Sequence, residues 1–161
     1  MGDEKTKHWR TAAELPPAVF EVLRKPNRGI NPVTIVATVD PDGSPHTAPF
    51  GSVRAVTPQL LRMISLRFHD TYANLQRDGR AVVAVVAPPD IAVSIRGRAR
   101  VLREQMRADP NSAILEIAVE EVKNDMVRSG AIEGAIAFAP WDEVRRWFEE
   151  ALAELEEEGR P

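Results

Sequence analysis

At 161 residues, with 43% hydrophobic and 28% charged, the chain has the size and balance of one globular domain that buries its own core. It has no cysteine, which excludes a disulfide scaffold, a thiolate metal centre, an iron–sulfur cluster and a cysteine nucleophile. The formal net charge of −3 gives no global field for nucleic acid, and no run approaches the ~18 apolar residues of a membrane span.

The first ten residues, MGDEKTKHWR, are polar and charged rather than signal-like, so residues 1–11 are expected to be a flexible arm and the location cytoplasmic. A short amphipathic helix follows. Pro16 and Pro17 suit its first turn, and Leu15, Val19, Phe20 and Leu23 share a face. Pro26, Asn27, Gly29, Asn31 and Pro32 end it.

The centre of the chain reads as strands. Val33 to Val39 is β-branched and apolar, and Asp40-Pro41-Asp42-Gly43 is a turn in which Gly43 can take positive φ. Ser44 to Val56 returns as one strand, with Pro45 and Pro49 marking edge or bulge positions. After Thr57-Pro58, Leu60 to Leu66 is a strand and residues 70–78 a short helix. Ala81 to Ala87 is a continuous apolar run, expected to be buried on both faces.

Beyond the Pro88-Pro89-Asp90 turn, Ile91, Val93, Ile95, Ala99 and Val101 alternate with polar neighbours, and Gly97 marks a bulge or close approach. Asp109-Pro110-Asn111 turns the chain again. Residues 113–123 fit strand or helix by pattern, and the surrounding hairpins favour strand. Gly134 to Ala139 is read as the last strand. A helix over 140–158 carries the stripe Val144, Trp147, Phe148, Ala151, Leu152 and Leu155. Glu154 and Glu156 to Glu158 oppose its dipole and predict a fraying end. Six or seven closely spaced antiparallel strands flanked by helices imply a mainly β barrel or sandwich in a single domain over 1–161.

Several familiar sites are absent: there is no phosphate loop, GxGxxG, HExxH or GxSxG pattern, and His8, His46 and His69 lack local metal spacing. Two stretches have chemical potential. In Ser65 to Leu75 a strand runs through a polar loop into a helix whose first amides lack partners. A phosphate suits such a place, with Thr71 offering a hydroxyl, Asn74 an amide, and Arg67 or His69 positive charge. Asp70 or Thr71 acting only as an N-cap explains the same pattern. In Pro49-Phe50-Gly51-Ser52, proline and glycine inside a strand signal a bulge, a barrel corner or a ligand. Phe50 offers a face for a flat ring and Ser52 a hydroxyl. Arg96, Arg98 and Arg100 share one face without stacking aromatics, so carboxylate partners such as Glu116 or Glu120 are expected rather than nucleic acid.

Three segments, in order, carry a resemblance: Ala37-Thr38-Val39-Asp40-Pro41-Asp42-Gly43-Ser44-Pro45-His46, then Phe68 to Arg80 (FHDTYANLQRDGR), then Ile95-Arg96-Gly97-Arg98-Ala99. Over roughly residues 15–140 the chain resembles the pyridoxamine 5′-phosphate oxidase-like FMN-binding split-barrel family, nearest to its small dimeric FMN-binding proteins. The resemblance implies a six- to seven-stranded antiparallel split β-barrel, with a short N-terminal and a C-terminal helix, that forms a homodimer with FMN at the interface. It implies that Pro49, Phe50, Gly51 and Ser52 line the flavin ring. It further implies that Leu66, Arg67, His69, Thr71 and Asn74 hold the phosphate and ribityl chain, and that Trp141 completes the partner's site. Many relatives place a lysine at or beside Thr71, where this chain has Asp70, an anion that would repel phosphate if it pointed inward. Some relatives use a deazaflavin coenzyme and a few bind haem. The resemblance therefore implies a flavin-dependent oxidoreductase or electron carrier, with a non-catalytic binding or sensing module as the alternative. No catalytic acid or base is legible.

Overall fold

The computed structural model describes residues 9–24 and 29–157. The strands are β1 (Thr11–Ala12), β2 (Thr34–Val39), β3 (Pro45–Phe50), β4 (Arg54–Thr57), β5 (Leu60–Leu66), β6 (Arg80–Ala87), β7 (Ile91–Arg103) and β8 (Ser112–Asn124). The helices are α1 (Pro17–Leu23), α2 (Asp70–Arg77) and α3 (Asp142–Glu156). All eight strands join one sheet in the order β3-β2-β6-β7-β8-β5-β4, with β1 also on β8, and every ladder is antiparallel. The two ends of this order, β3 and β4, are consecutive in the chain but do not pair. They leave the split of a split barrel, bridged by residues 51–53.

Alternation explains how the sheet buries its core. Val83 and Val85 of β6, Val93 and Ile95 of β7, and Leu115 and Ile117 of β8 point inward with Val36, Leu61 and Met63. Leu15, Val19 and Leu23 plug one side from α1 and the turn before it, and Tyr72 and Leu75 close another from α2. The β2–β3 turn has Gly43 at φ +87°, where other residues are strained. The guanidinium row on β7 finds its carboxylates on β8: Arg96 with Glu121, Arg98 with Glu120 and Arg100 with Glu116, at 3.8, 3.8 and 3.2 Å. The segment 113–123 is strand, as the hairpin context predicts.

Four expectations need correction. The single strand over Ser44 to Val56 is two strands, because Ser52 takes over the pairing: its Oγ accepts from the Ile64 amide at 3.0 Å and donates to the Ile64 carbonyl at 3.3 Å. Gly134 to Ala139 is not a strand. Its backbone bonds go to the Val33 amide and the Asn31 side chain rather than to a ladder. In β6, Val82 and Ala84 are only half-buried and Val86 is exposed, so one face alone meets the core. Helix α3 does not fray at Glu154 and Glu156. Arg54 meets Glu156 at 3.1 Å, Arg103 and Arg107 meet Glu154 at 3.6 and 3.4 Å, and Arg107 also pairs with Glu157. These cations outweigh the unfavourable dipole. Glu158 lies outside the described residues, as do residues 1–8 of the expected arm. From Trp9 onward the chain is docked, with Thr11 opposite Lys123 and the Trp9 carbonyl accepting from Asn124.

Candidate functional site

An apolar cleft of about 450 Å³ opens beside the split. Its barrel wall is the end of β3 and the bridge after it, where Pro49, Phe50, Gly51 and Ser52 all line the space. Leu66 at the end of β5 and His69 at the start of α2 line it too, so these six expected residues come together on one cavity. The ladder explains the convergence. β5 pairs with β8 so that Leu66 lies opposite Ser112, and both end at the cleft. Ser52 and Ser112 spend their hydroxyls on Ile64 and Asp109, which leaves the lining polar chiefly at His69. Among the described residues, His69 is the one titratable side chain on it.

Other expected residues fall elsewhere. Asn74 is buried, and its amide donates to Thr38 Oγ1 at 3.0 Å and Asp40 Oδ1 at 2.8 Å, so it ties α2 to the β2–β3 hairpin. Thr71 is buried in the first turn of α2 and Asp70 is exposed, and neither lines the cleft. Trp141 is 81% exposed at the N-terminus of α3, outside the cleft of its own chain. Arg67 is not on the lining but sits between residues that are. Its Nη1 donates to the Pro110 carbonyl at 3.3 Å and it approaches Glu104 at 3.7 Å. Its buried Nε has no hydrogen-bond partner among the described residues.

The outer wall is the part that sequence reasoning missed. Phe138, Trp147, Phe148, Ala151 and Leu152 cover the cleft from the C-terminal segment of the same chain, with Ile30, Val33 and Ile64 behind the bridge. The stripe on α3 signals burial, but nothing in its spacing says against what. Beneath the bridge lies Arg54, 1% exposed, which donates to the Gly51 carbonyl at 3.0 Å as well as to Glu156. Burial holds its guanidinium below the ordinary value and the bond to Glu156 works the other way, so the group stays charged.

This arrangement fits the flat half of a flavin. A ring system gains from leaving water for an apolar slot of this size. The phosphate half fits less fully: the Asn74 amide is already committed, and the groups left to meet it are the His69 imidazole and the Arg67 guanidinium, the latter with its unpaired Nε.

The fold has known counterparts. The chain superposes on a pyridoxamine 5′-phosphate oxidase-like protein of Lactobacillus delbrueckii with a TM-score of 0.58 and 22% identity, covering 71% of this chain and 98% of that one. HupZ from Group A Streptococcus matches with a TM-score of 0.51 and 24% identity over 65% and 91%. An F420 reductase matches with a TM-score of 0.53 and 16% identity over 69% and 100%. At these identities the likeness is one of fold. No curated protein matches the chain. The sequence itself matches the family model described as pyridoxamine 5′-phosphate oxidase over residues 15–125, most of its length and every strand from β2 to β8, and the chain therefore belongs to that family.

Proposed function

We propose that the protein binds FMN in this cleft and serves as a flavin-dependent oxidoreductase or electron carrier, working as a cytoplasmic homodimer. The observation that carries the reading is the apolar cavity at the barrel split, which gathers Pro49, Phe50, Gly51, Ser52, Leu66 and His69 on one lining. The bound flavin supplies the hydride or electron transfer. The chain's own residues bind and exclude water. Phe50 and Pro49 present apolar surface to the ring, and Phe138, Trp147 and Phe148 cover it. Arg67 and His69 are the side chains assigned to the phosphate in this reading. Exposed Val86, Val127, Ile136 and Trp141 supply apolar surface for a second copy, and Trp141 is accessible to the partner's site.

The test is an absorption spectrum of freshly purified protein, followed by titration of the colourless form with FMN. Flavin bands, with the released cofactor identified by mass, support the reading and separate FMN from a deazaflavin coenzyme. A protein that is colourless and indifferent to FMN sinks it. The phosphate end has its own prediction. Arg67→Ala is expected to weaken FMN roughly tenfold or more, the worth of a charge-assisted hydrogen bond, while leaving riboflavin, which has no phosphate, unchanged. Equal weakening of both ligands would move the phosphate away from Arg67.

A further inference from the structure

The outer wall of the cleft is built from two unlike halves of one helix. The second half of α3 is anchored. Ala151 and Leu155 are buried in a small core with Ile64, Met106 and Ile114, and Glu154 and Glu156 are tied to arginines of the barrel side. The first half is held more lightly. Residues 142–146 are exposed, and Trp147 and Phe148 are half-buried on the cleft, with Trp147 also packing against the edge of that small core.

The strap that leads into it, residues 131–141, is exposed along most of its length and forms neither helix nor strand. Its Phe138 meets Phe148 edge to face at 5.9 Å, and Phe148 meets Trp147 in the same manner at 4.8 Å. The three rings thus hold one another, and Trp147 joins them to the edge of the small core. Two backbone bonds fix the start and middle of the strap, from the Ile132 amide to the Pro89 carbonyl and from the Val33 amide to the Ile136 carbonyl, and beyond them a side chain fastens it. Asn31 Nδ2 donates to the Phe138 carbonyl at 3.1 Å, and the Phe138 amide donates to Asn31 Oδ1 at 2.7 Å. Both bonds are exposed, so water competes for them.

We propose that the strap and the first half of α3 form a lid over the cleft, pivoting near Ala151 and clasped by Asn31, which lifts to admit the ligand. The ligand identity rests on the flavin reading above; the motion does not. Lifting breaks the Asn31 pair, draws Trp147 off the edge of the small core and wets the aromatic trio, while the Arg–Glu ties keep the far end of the helix in place. The closed state is favoured even without ligand, because an open cleft exposes its apolar lining to water.

The test combines hydrogen exchange on the whole chain with stopped-flow binding of FMN, comparing wild type with Asn31→Ala. In the wild type, amides of 137–148 are expected to exchange faster than those of 151–156. Asn31→Ala should speed exchange over 137–148 by roughly tenfold or more, the combined worth of two ordinary hydrogen bonds, and leave 151–156 and the β7–β8 ladder unchanged. FMN association and dissociation should accelerate by a common factor, leaving Kd nearly constant. If 137–148 and 151–156 exchange together and respond alike to Asn31→Ala, the lid is overturned. FMN rates that ignore the substitution overturn the gating even where exchange responds. If the wild type binds no FMN yet shows the divided exchange pattern, the lid stands and the flavin reading falls.

Discussion

Arg54→Ala is expected to lower the free energy of unfolding by about 3–5 kcal/mol, the cost of breaking a buried ion pair from one side. The guanidinium is 1% exposed and reaches three partners: Glu156 at 3.1 Å, the Gly51 carbonyl at 3.0 Å and the Val53 carbonyl at 3.3 Å. Its removal leaves a half-buried carboxylate without its cation, two carbonyls short of a donor, and a void under the bridge between β3 and β4. Arg54→Met, which fills the void without the charge, should recover part of the loss. The loss should also reach the cleft, because the Gly51 carbonyl it restrains belongs to the wall against which the ring is proposed to lie. Urea denaturation of both variants checks the first claim and FMN titration the second. A change below ~1 kcal/mol for Arg54→Ala would put the pair among ordinary surface ion pairs.

Gly97→Val should be at least as damaging, by a different route. A β-carbon at Gly97 would lie 2.5 Å from the Ala118 carbonyl oxygen and 2.6 Å from Ile117 Cγ2. The first of these is backbone of the neighbouring strand, held in the longest ladder of the sheet beside the bulge between Arg96 and Gly97. Neither strand can retreat without giving up hydrogen bonds. The cost is therefore expected at or beyond the top of the ~1–3 kcal/mol range for overpacked sites. Gly130→Val is the control: nothing lies within 4 Å of its β-carbon position, so the change should stay within ~0.5 kcal/mol. Denaturation midpoints of the two variants side by side give the answer. Equal midpoints would mean that the β7–β8 ladder yields more easily than its length implies.

Much of the architecture can be read from local pattern. The run Leu60 to Leu66 begins and ends where its strand does, the proline and glycine turns fall where they are expected, and the α3 stripe predicts the helix. What escaped depends on partners distant in sequence. The break after Phe50 exists because a serine hydroxyl twelve residues away replaces a ladder rung at Ile64, which no spacing rule records. The steadiness of the acidic end of α3 depends on Arg54, Arg62, Arg103 and Arg107, which the fold gathers from four places in the chain. Half of the cleft was legible because it sits on adjacent β3 and bridge residues. The covering half was not, since a stripe of Trp147, Phe148 and Leu152 reads the same whether it meets a core or a cavity. Asn74 shows the opposite error: an amide suited to a phosphate is spent on Thr38 and Asp40.

The position of β3 at the end of the sheet has a consequence for how copies of this protein can meet. A proline cannot donate to β2, so His46, Ala48 and Phe50 must supply the amides of that ladder, and residues 45, 47 and 49 turn theirs outward. With proline at 45 and 49, Thr47 keeps the lone N–H on that rim. An incoming strand would find one donor where it needs a row, so this edge resists sheet-to-sheet growth and the fibrous association that follows from it. A second copy meeting this edge is therefore left to approach through side chains, and the register of a contact made there is set by shape rather than by backbone zipping.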